Sequence, residues 1–225
     1  MIPTTRTSLA ILLLLSLSAS ARDVTSPNGA WSMKLPDVWE PASREVYERI
    51  QQPGVHAVFQ APEEGKEKFR DYLVVTVIEQ PMNVTAAGRE EFRAKLQADL
   101  EKSSVQSGIE RVLVEKLGDR DVYRVEGFFL MPESAPLKNA KWYIPAGDKT
   151  YVFSFTCTAA TFNSKLLAFE SMAESIRMRE EASAAPTAGS DWSSVVTWAG
   201  IAVVVLAAAG IVFVLRKSAT AGTEP

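Results

Sequence analysis

The feature that most constrains this chain of 225 residues is an uninterrupted apolar segment near its C-terminus. Residues 195–215 contain no charged side chain, and Arg216 and Lys217 follow them directly. As a helix rising about 1.5 Å per residue, this segment would extend for about 31 Å, close to the hydrocarbon thickness of a bilayer. Basic residues concentrate on the cytoplasmic side of membrane spans. The sequence therefore predicts one transmembrane helix, with the N-terminal domain extracytoplasmic and the C-terminus cytoplasmic.

The N-terminus has the features of a secretory signal peptide in the expected order. Arg6 precedes an apolar run over residues 9–17, and the small residues Ala-Ser-Ala follow at positions 19–21. The apolar run is about half as long as the roughly 20 residues that a span requires, which disfavours an uncleaved anchor. We therefore expect cleavage just before Arg22.

These segments divide the chain into five parts. Between the domain and the span, residues rich in Ala, Ser and Gly lack a hydrophobic period and so predict a flexible stalk. The predicted order is a signal peptide (1–21), an extracytoplasmic domain (22–178), a stalk (179–194), a transmembrane helix (195–215) and a short cytoplasmic tail (216–225).

Alternation with a period of two predicts that most of the domain is β-sheet. Tyr151, Phe153, Phe155 and Cys157 fall on one side of a strand, whose other side is more polar. Residues 71–78 are apolar on both sides apart from one threonine, as in a central strand covered from both faces. The alternation over residues 121–130 predicts one better-protected face. The complete set of predicted strands is 30–35, 55–61, 71–78, 109–116, 121–130, 140–145 and 151–158.

Helical periodicity occurs twice. Phe92, Leu96 and Leu100 are spaced four residues apart and predict an amphipathic helix over residues 89–102. A second helix is predicted over residues 162–178, with Thr161 available as its N-cap. Because short turns separate most strands, the sheet should be mostly antiparallel. The predicted fold class is α+β, with a twisted, mostly antiparallel sheet sandwiched by helices.

Several of these elements together resemble a known family. The residues concerned are Trp31-Ser-Met-Lys-Leu-Pro36 followed by Trp39, the hairpin Leu117-Gly118-Asp119-Arg120, and the strand over 151–158 that runs into the last helix with Glu174-Ser-Ile-Arg177. They are similar to the PsbP/Mog superfamily, which includes secreted and membrane-anchored bacterial PsbP-like domains. The resemblance covers about residues 30–178. It implies an antiparallel sheet between helices, no catalytic centre, and docking onto larger partners.

The resemblance is incomplete in two respects. The chain lacks the lipid-anchor cysteine of some members and has the predicted span instead. Nothing in it matches a Ran interface or a photosystem contact, so neither partner is carried over.

Composition and reactive residues favour binding over catalysis. Lys and Arg number 24 against 27 Asp and Glu, a net charge of −3 that offers no footprint for nucleic acid. A single His and a single Cys disfavour disulfides and most zinc sites. His56 is expected to be a partly exposed strand residue, and Cys157 a small buried hydrophobe. No catalytic, cofactor-binding or metal-binding residue is predicted.

The sequence thus predicts a non-catalytic, single-pass membrane-anchored module that binds a protein or small ligand. Loops over residues 63–71 and 131–136 are candidates for recognition. Asn83 lies in a glycosylation sequon, which matters only if the host glycosylates secreted chains. Two alternatives stay open: a structural subunit of an envelope membrane complex, and a hydrolase or thiol enzyme that uses His56 or Cys157.

Overall fold

A computed structural model of the chain describes residues 20–50, 54–63, 69–103, 105–130 and 135–179. The predicted transmembrane helix and cytoplasmic tail, nearly all of the predicted signal peptide, and the predicted stalk after Arg179 lie outside these residues. Among the helices that the structure describes, none has both the length and the apolar character needed to cross a membrane.

The described residues form strands and helices in the order expected of an α+β domain. The elements are β1 (Ala21–Thr25), β2 (Trp31–Pro36), β3 (Glu40–Pro41), α1 (Arg44–Ile50), β4 (Val55–Gln60), β5 (Tyr72–Ile78), α2 (Arg89–Glu101), β6 (Gln106–Leu117), β7 (Arg120–Leu130), β8 (Leu137–Ala146), β9 (Lys149–Thr158), α3 (Phe162–Glu174) and β10 (Arg177–Met178).

The strands form two sheets. Seven strands follow the order β3-β4-β5-β9-β8-β7-β6, and a smaller sheet has the order β1-β2-β10. Every neighbouring pair in both sheets is antiparallel, as the short turns predicted. All seven residues of β5 are buried, which confirms the prediction of a central strand covered on both faces.

One face of the large sheet, here called the α3 face, packs against α3 and the small sheet. Aromatic rings dominate this layer: Trp31 of β2 meets Phe153 edge-on with ring centroids 5.3 Å apart, and Phe155 stacks on Phe169 of α3 at 5.2 Å. Because such rings remove large apolar areas from water, this layer is the main core of the domain.

The opposite face, here called the α2 face, is covered by α2 and α1. Phe92 of α2 stacks on Tyr123 at 4.5 Å and meets Tyr143 edge-on at 5.1 Å. Ile50 of α1 packs with Tyr72 and neighbouring valines of β4 and β5. The sheet is therefore sandwiched between helices, as predicted, with the small sheet as an additional element on the α3 face.

The last helix is shorter than its periodicity predicted. α3 ends at Glu174 instead of residue 178, because Ser175 leaves the helix and accepts the Lys34 N–H of β2 at 2.8 Å. The chain then pairs with β2 as β10. Thr161 does occupy the N-cap position, but its hydroxyl contacts Thr158 at 2.9 Å and makes no capping bond.

Four short elements were not predicted: β1, β3, α1 and β10. β3 and β10 contain two residues each, too few to show a period, and β1 is mostly exposed. α1 is a helix of seven residues, about two turns. Of these four elements only β10 has a partner far away in sequence, since it pairs with β2. β1 pairs with the adjacent strand β2, and β3 and α1 contact the nearby β4.

Candidate functional site

The sole cysteine is a core residue of the α3 face. Cys157 is fully buried on β9, and burial raises the pKa of its thiol to about 12. A thiol with such a pKa carries almost no thiolate at neutral pH, and the thiolate is the nucleophilic form. The prediction that Cys157 is buried is confirmed.

The sole histidine lies elsewhere on the sheet. His56 is half-buried on β4, with its ring 6.3 Å from that of Tyr151. Strand register places it level with Val152 and Phe153 of β9, two strands away. Cys157 is four residues beyond Phe153, roughly 13 Å along the strand. The structure therefore does not bring the two side chains together.

The two loops predicted for recognition, residues 63–71 and 131–136, lie partly outside the described residues. At the end of the first loop, Asp71 is buried and accepts from Lys165 of α3 at 2.6 Å. At the end of the second loop, the Pro136 carbonyl accepts a backbone N–H from the turn after β9 at 2.7 Å. The described ends of both loops are thus fixed to the fold.

The described part of the chain contains no candidate metal site. No group of three or more His, Cys, Asp or Glu side chains converges there in a way that could hold an ion.

A cavity of about 430 Å³ forms a groove at the point where the described chain ends. The β6–β7 turn forms one wall, and Gly118 allows this turn through its positive φ of 63°. The end of β8 and the segment with β10 form the rest. We call this cavity the stalk-root groove, because the predicted stalk begins at Arg179; its lining residues are Leu117, Gly118, Asp119, Arg120, Ile144, Ile176, Arg177 and Met178.

Two arginines stand over an apolar floor in this groove. Arg120 donates through Nη1 to the Pro145 carbonyl at 3.3 Å, and Arg177 donates through Nη1 to the Ile176 carbonyl at 2.9 Å. Both contacts engage neutral backbone oxygens, so the charges are not neutralised by them. Ile144 and Ile176 contribute the buried floor. The groove can therefore accept an anionic group next to an apolar one.

A second, smaller cavity of about 280 Å³ lies beside the start of α2. The Tyr123 hydroxyl donates to the Thr85 carbonyl at 2.8 Å and accepts the Thr85 N–H at 3.2 Å, which holds the preceding loop against the sheet. Glu91 and Lys95 line the cavity and neutralise each other at 2.9 Å. Asn83, the sequon residue, lies at this rim and is exposed. The cavity shows no unbalanced charge.

A buried charge cluster on the α3 face was not predicted from the sequence. Arg124 and Glu126 project from β7, with side chains 8% and 2% exposed, and are joined by hydrogen bonds of 2.5 and 3.0 Å. Arg124 also donates to Glu115 of β6 and Glu170 of α3, while Arg111 of β6 donates to Glu126. The alternation over residues 121–130 predicts that Arg124 and Glu126 lie on the less protected face of the strand. Both sides of β7 are in fact buried, because α3 and β6 bring partners for the charges.

The electrostatics of this cluster follow from its pairing. Burial by itself would lower the pKa of Arg124, but the hydrogen bond to Glu126 and the negative charges of Glu115 and Glu170 outweigh burial and raise it. Burial raises the pKa of Glu115, and Arg124 partly offsets that effect. These are the properties of a structural ion-pair network rather than of a titrating catalytic pair.

A second unpredicted cation lies on the α2 face. Lys141 of β8 is buried, and burial lowers the pKa of its ammonium group to about 7. Asn139 on the same strand and Ser154 opposite on β9 are also buried, and Asn139 Nδ2 and Ser154 Oγ have no hydrogen-bond partner within the described residues. This polar row adjoins a cavity of only about 20 Å³, room for about one water molecule.

Comparison with known proteins gives a result for structure only. No protein-family model and no curated protein sequence matches the chain. Cyanobacterial PsbP (CyanoP) from Synechocystis sp. PCC 6803 matches with a TM-score of 0.55 and 15% identity, over 72% of this chain and 94% of that one. The Saccharomyces cerevisiae Ran-binding protein Mog1p matches with a TM-score of 0.48 and 9% identity, over 72% and 97% of the two chains. LpqN, involved in cell envelope biogenesis of Mycobacterium tuberculosis, matches with a TM-score of 0.42 and 10% identity, over 71% and 90%. At such identities the likeness concerns the fold alone, and the match to cyanobacterial PsbP shows that the described domain has the PsbP/Mog-like fold.

Proposed function

We propose that this chain is a non-catalytic docking module, held outside the cytoplasm by the predicted span, that binds a segment of a partner protein in the stalk-root groove. The observation that carries the proposal is the combination of two arginines with an apolar floor in the stalk-root groove. An acidic side chain flanked by apolar residues would satisfy both features. A protein segment of that composition is therefore the expected ligand.

The position of the groove supports a role close to the membrane. Arg177 and Met178 line the groove, and the predicted stalk starts one residue later. A stalk of 16 residues over 179–194 would keep the groove within about 25 Å of the span if it is flexible. Partners that present a segment near the membrane surface would then meet the groove directly.

Two features of the reactive residues support binding over catalysis. Cys157 is fully buried with a raised thiol pKa, and His56 is two strands away from it. A nucleophile requires a base within hydrogen-bond reach, about 3 Å, which this arrangement does not provide. The hydrolase or thiol-enzyme alternative thus gains no support from geometry.

Site-specific photocrosslinking of the full chain in its native membranes tests the groove. A photoreactive residue in place of Asp119, on the exposed turn, should give a discrete protein adduct that mass spectrometry can identify. The same residue in place of Arg44, an exposed position on α1 outside the groove, is the matched control. The double variant Arg120→Gln, Arg177→Gln should reduce the Asp119 adduct several-fold. An adduct that forms equally from both positions, or survives the double variant, would contradict the proposal.

Protease accessibility tests the topology separately. Protease added to intact cells or spheroplasts should digest residues 22–190 while the membrane is intact, because Arg216 and Lys217 favour a cytoplasmic C-terminus. Protection of that region until detergent is added would reverse the proposed orientation.

A further inference from the structure

The large sheet ends at a long strand whose outer edge is open in the described structure. β6 (Gln106–Leu117) pairs with β7, and no other described strand pairs with it. The opposite end of the sheet is the two-residue strand β3. The outward backbone N–H and C=O groups of a strand of this length can pair with another strand. The edge of β6 is therefore a surface that a further strand would fit.

We propose that the occupant of this edge is β6 of a second copy of the chain, paired antiparallel about a two-fold axis at Leu113. In that register Arg111 lies opposite the partner's Glu115, and both side chains lie on the α3 face. Val112 and Val114 face each other across the seam, and Leu113 faces its own copy. Two copies would then share one sheet of 14 strands, twice the seven of a single copy. Directly opposed residues of opposite charge stabilise a strand pair.

Other registers lack this complementarity. A two-fold axis perpendicular to the sheet keeps the faces of both copies aligned, so the allowed registers differ in steps of two residues per pair. Centring the pair on Val112 or Val114 would place Arg111 opposite a leucine. Centring it on Arg111 or on Glu115 would place two like charges opposite each other, which is destabilising. Only the register centred on Leu113 opposes Arg111 and Glu115.

The internal ion pairs extend this pattern across the seam. Within one copy, Arg111 donates to Glu126, and Glu115 accepts from Arg124. Pairing about Leu113 would extend this row as Glu126, Arg111, the partner's Glu115 and the partner's Arg124, with alternating sign throughout. The side chains of Arg111 and Glu115 are 55% and 28% exposed, so both can still reach a neighbour.

The same charges make pairing with unrelated strands unfavourable. Charged side chains on an edge strand normally hinder association with other chains. Here their order is self-complementary, so a second copy satisfies them where an arbitrary apolar strand would bury them unpaired. The bulge in β6 lies between Ile109 and Arg111, outside the regular segment 111–115 on which the pairing is centred. The interface would be isologous, as in most dimers with two-fold symmetry.

Disulfide crosslinking of the full chain in membranes tests the register. Leu113→Cys should form a disulfide-linked dimer with copper phenanthroline on a non-reducing gel, since the two thiols would meet at the axis. Lys116→Cys is the matched control on the same strand: its two copies would be about 20 Å apart, so about tenfold less dimer is expected. The wild-type chain, whose Cys157 is buried, should give none.

A charge swap tests complementarity in the Leu113→Cys background. Arg111→Glu alone, or Glu115→Arg alone, should lower the dimer yield about fivefold, and the two changes together should restore it. Each of the two changes removes the same contact, to Glu126 or to Arg124 within the chain, whether it is made singly or in combination. Recovery in the double variant therefore reports pairing between copies.

The outcomes separate the proposal from simple collision and from the groove. Equal dimer yields from Leu113→Cys and Lys116→Cys would overturn the proposal. If Leu113→Cys fails to fold, the double variant Arg111→Cys, Glu115→Cys should crosslink while each single variant does not; its failure would also overturn the proposal. Arg120→Gln should leave the yield unchanged, so this test is independent of ligand binding in the groove.

Discussion

Arg124 and Lys141 are both buried cations on neighbouring strands of one sheet, but their pKa values shift in opposite directions. On the α3 face, three carboxylates contact Arg124 and raise its pKa despite burial. On the α2 face, burial lowers the pKa of Lys141 to about 7. The difference shows that burial alone does not set the direction of a pKa shift, since the three carboxylates around Arg124 outweigh it.

The contrast extends to the neutral residues. The α3 face is an aromatic core whose buried charges are paired, in the Arg124 cluster and between Asp71 and Lys165. The α2 face combines an aromatic cluster under α2 with the row of Asn139, Lys141 and Ser154. The α3 face should therefore be the more sensitive to loss of a charge, and the α2 face should tolerate replacement of polar groups by apolar ones.

The largest effect is expected from Arg124→Met. The change leaves Glu126, whose side chain is 2% exposed, without its closest buried partner, and breaking such a pair costs about 3–5 kcal/mol. Lys116→Met, which removes the exposed pair with Asp121, is the matched control and should cost less than about 1 kcal/mol. Urea unfolding of the full chain, followed by tryptophan fluorescence, measures both. Equal losses would show that the α3 cluster contributes no more than a surface pair.

Lys141→Met should increase the free energy of unfolding at neutral pH, whereas Arg124→Met should decrease it. The folded pKa of about 7 lies below the ordinary 10.5, so the charged form is disfavoured by folding. Wild-type stability should therefore rise with pH from about 7 to 10.5, while the variant should lack this rise. At pH 6, below both pKa values, the shift from 10.5 to about 7 corresponds to on the order of 5 kcal/mol in favour of the variant. Urea unfolding of the wild type and the variant at pH 6 and pH 9 measures this difference. If the stabilities of both proteins change with pH in the same way, the prediction is wrong.

Adding a hydroxyl on the α3 face, or removing one on the α2 face, should change the free energy of unfolding by a smaller amount. Cys157→Ser places a hydroxyl in the α3 core and should cost about 1–3 kcal/mol. Ser154→Ala on the α2 face removes a buried hydroxyl with no recorded partner in the described structure and should be neutral or stabilising. Native Cys157 should also react with a thiol reagent far more slowly than in denaturant. Rapid native labelling would revive the thiol-enzyme alternative.

The smallest effect is expected from His56→Gln. The residue is half-buried, and its ring lies edge-on to that of Tyr151 with centroids 6.3 Å apart. We expect the free energy of unfolding to change by less than about 0.5 kcal/mol and the Asp119 photoadduct to be unchanged. Loss of the adduct with unchanged stability would assign His56 a functional role and contradict the docking proposal.

Local sequence patterns predicted the elements in which a repeated period is long enough to recognise. Seven strands, the start and end of α2, the start of α3 and the burial of Cys157 follow from periods of two and about 3.6 residues. The motifs around Trp31 and Glu174 were sufficient to predict the fold by resemblance. Residues of both motifs, Trp31 and Ile176, lie in the aromatic core of the α3 face. The predicted span, stalk and signal peptide rest on composition and stay predictions.

Tertiary contacts determine which charged residues are buried and which surfaces stay open, and local patterns did not predict either. Arg124 and Glu126 look like the polar side of a strand until Glu115 and Glu170 are brought to them from β6 and α3. Likewise, the stalk-root groove combines a turn near residue 118 with β10, about 60 residues later, and β10 forms only because β2 offers an edge. Periodicity reports the local environment of a residue, whereas such contacts depend on which distant segments pack together.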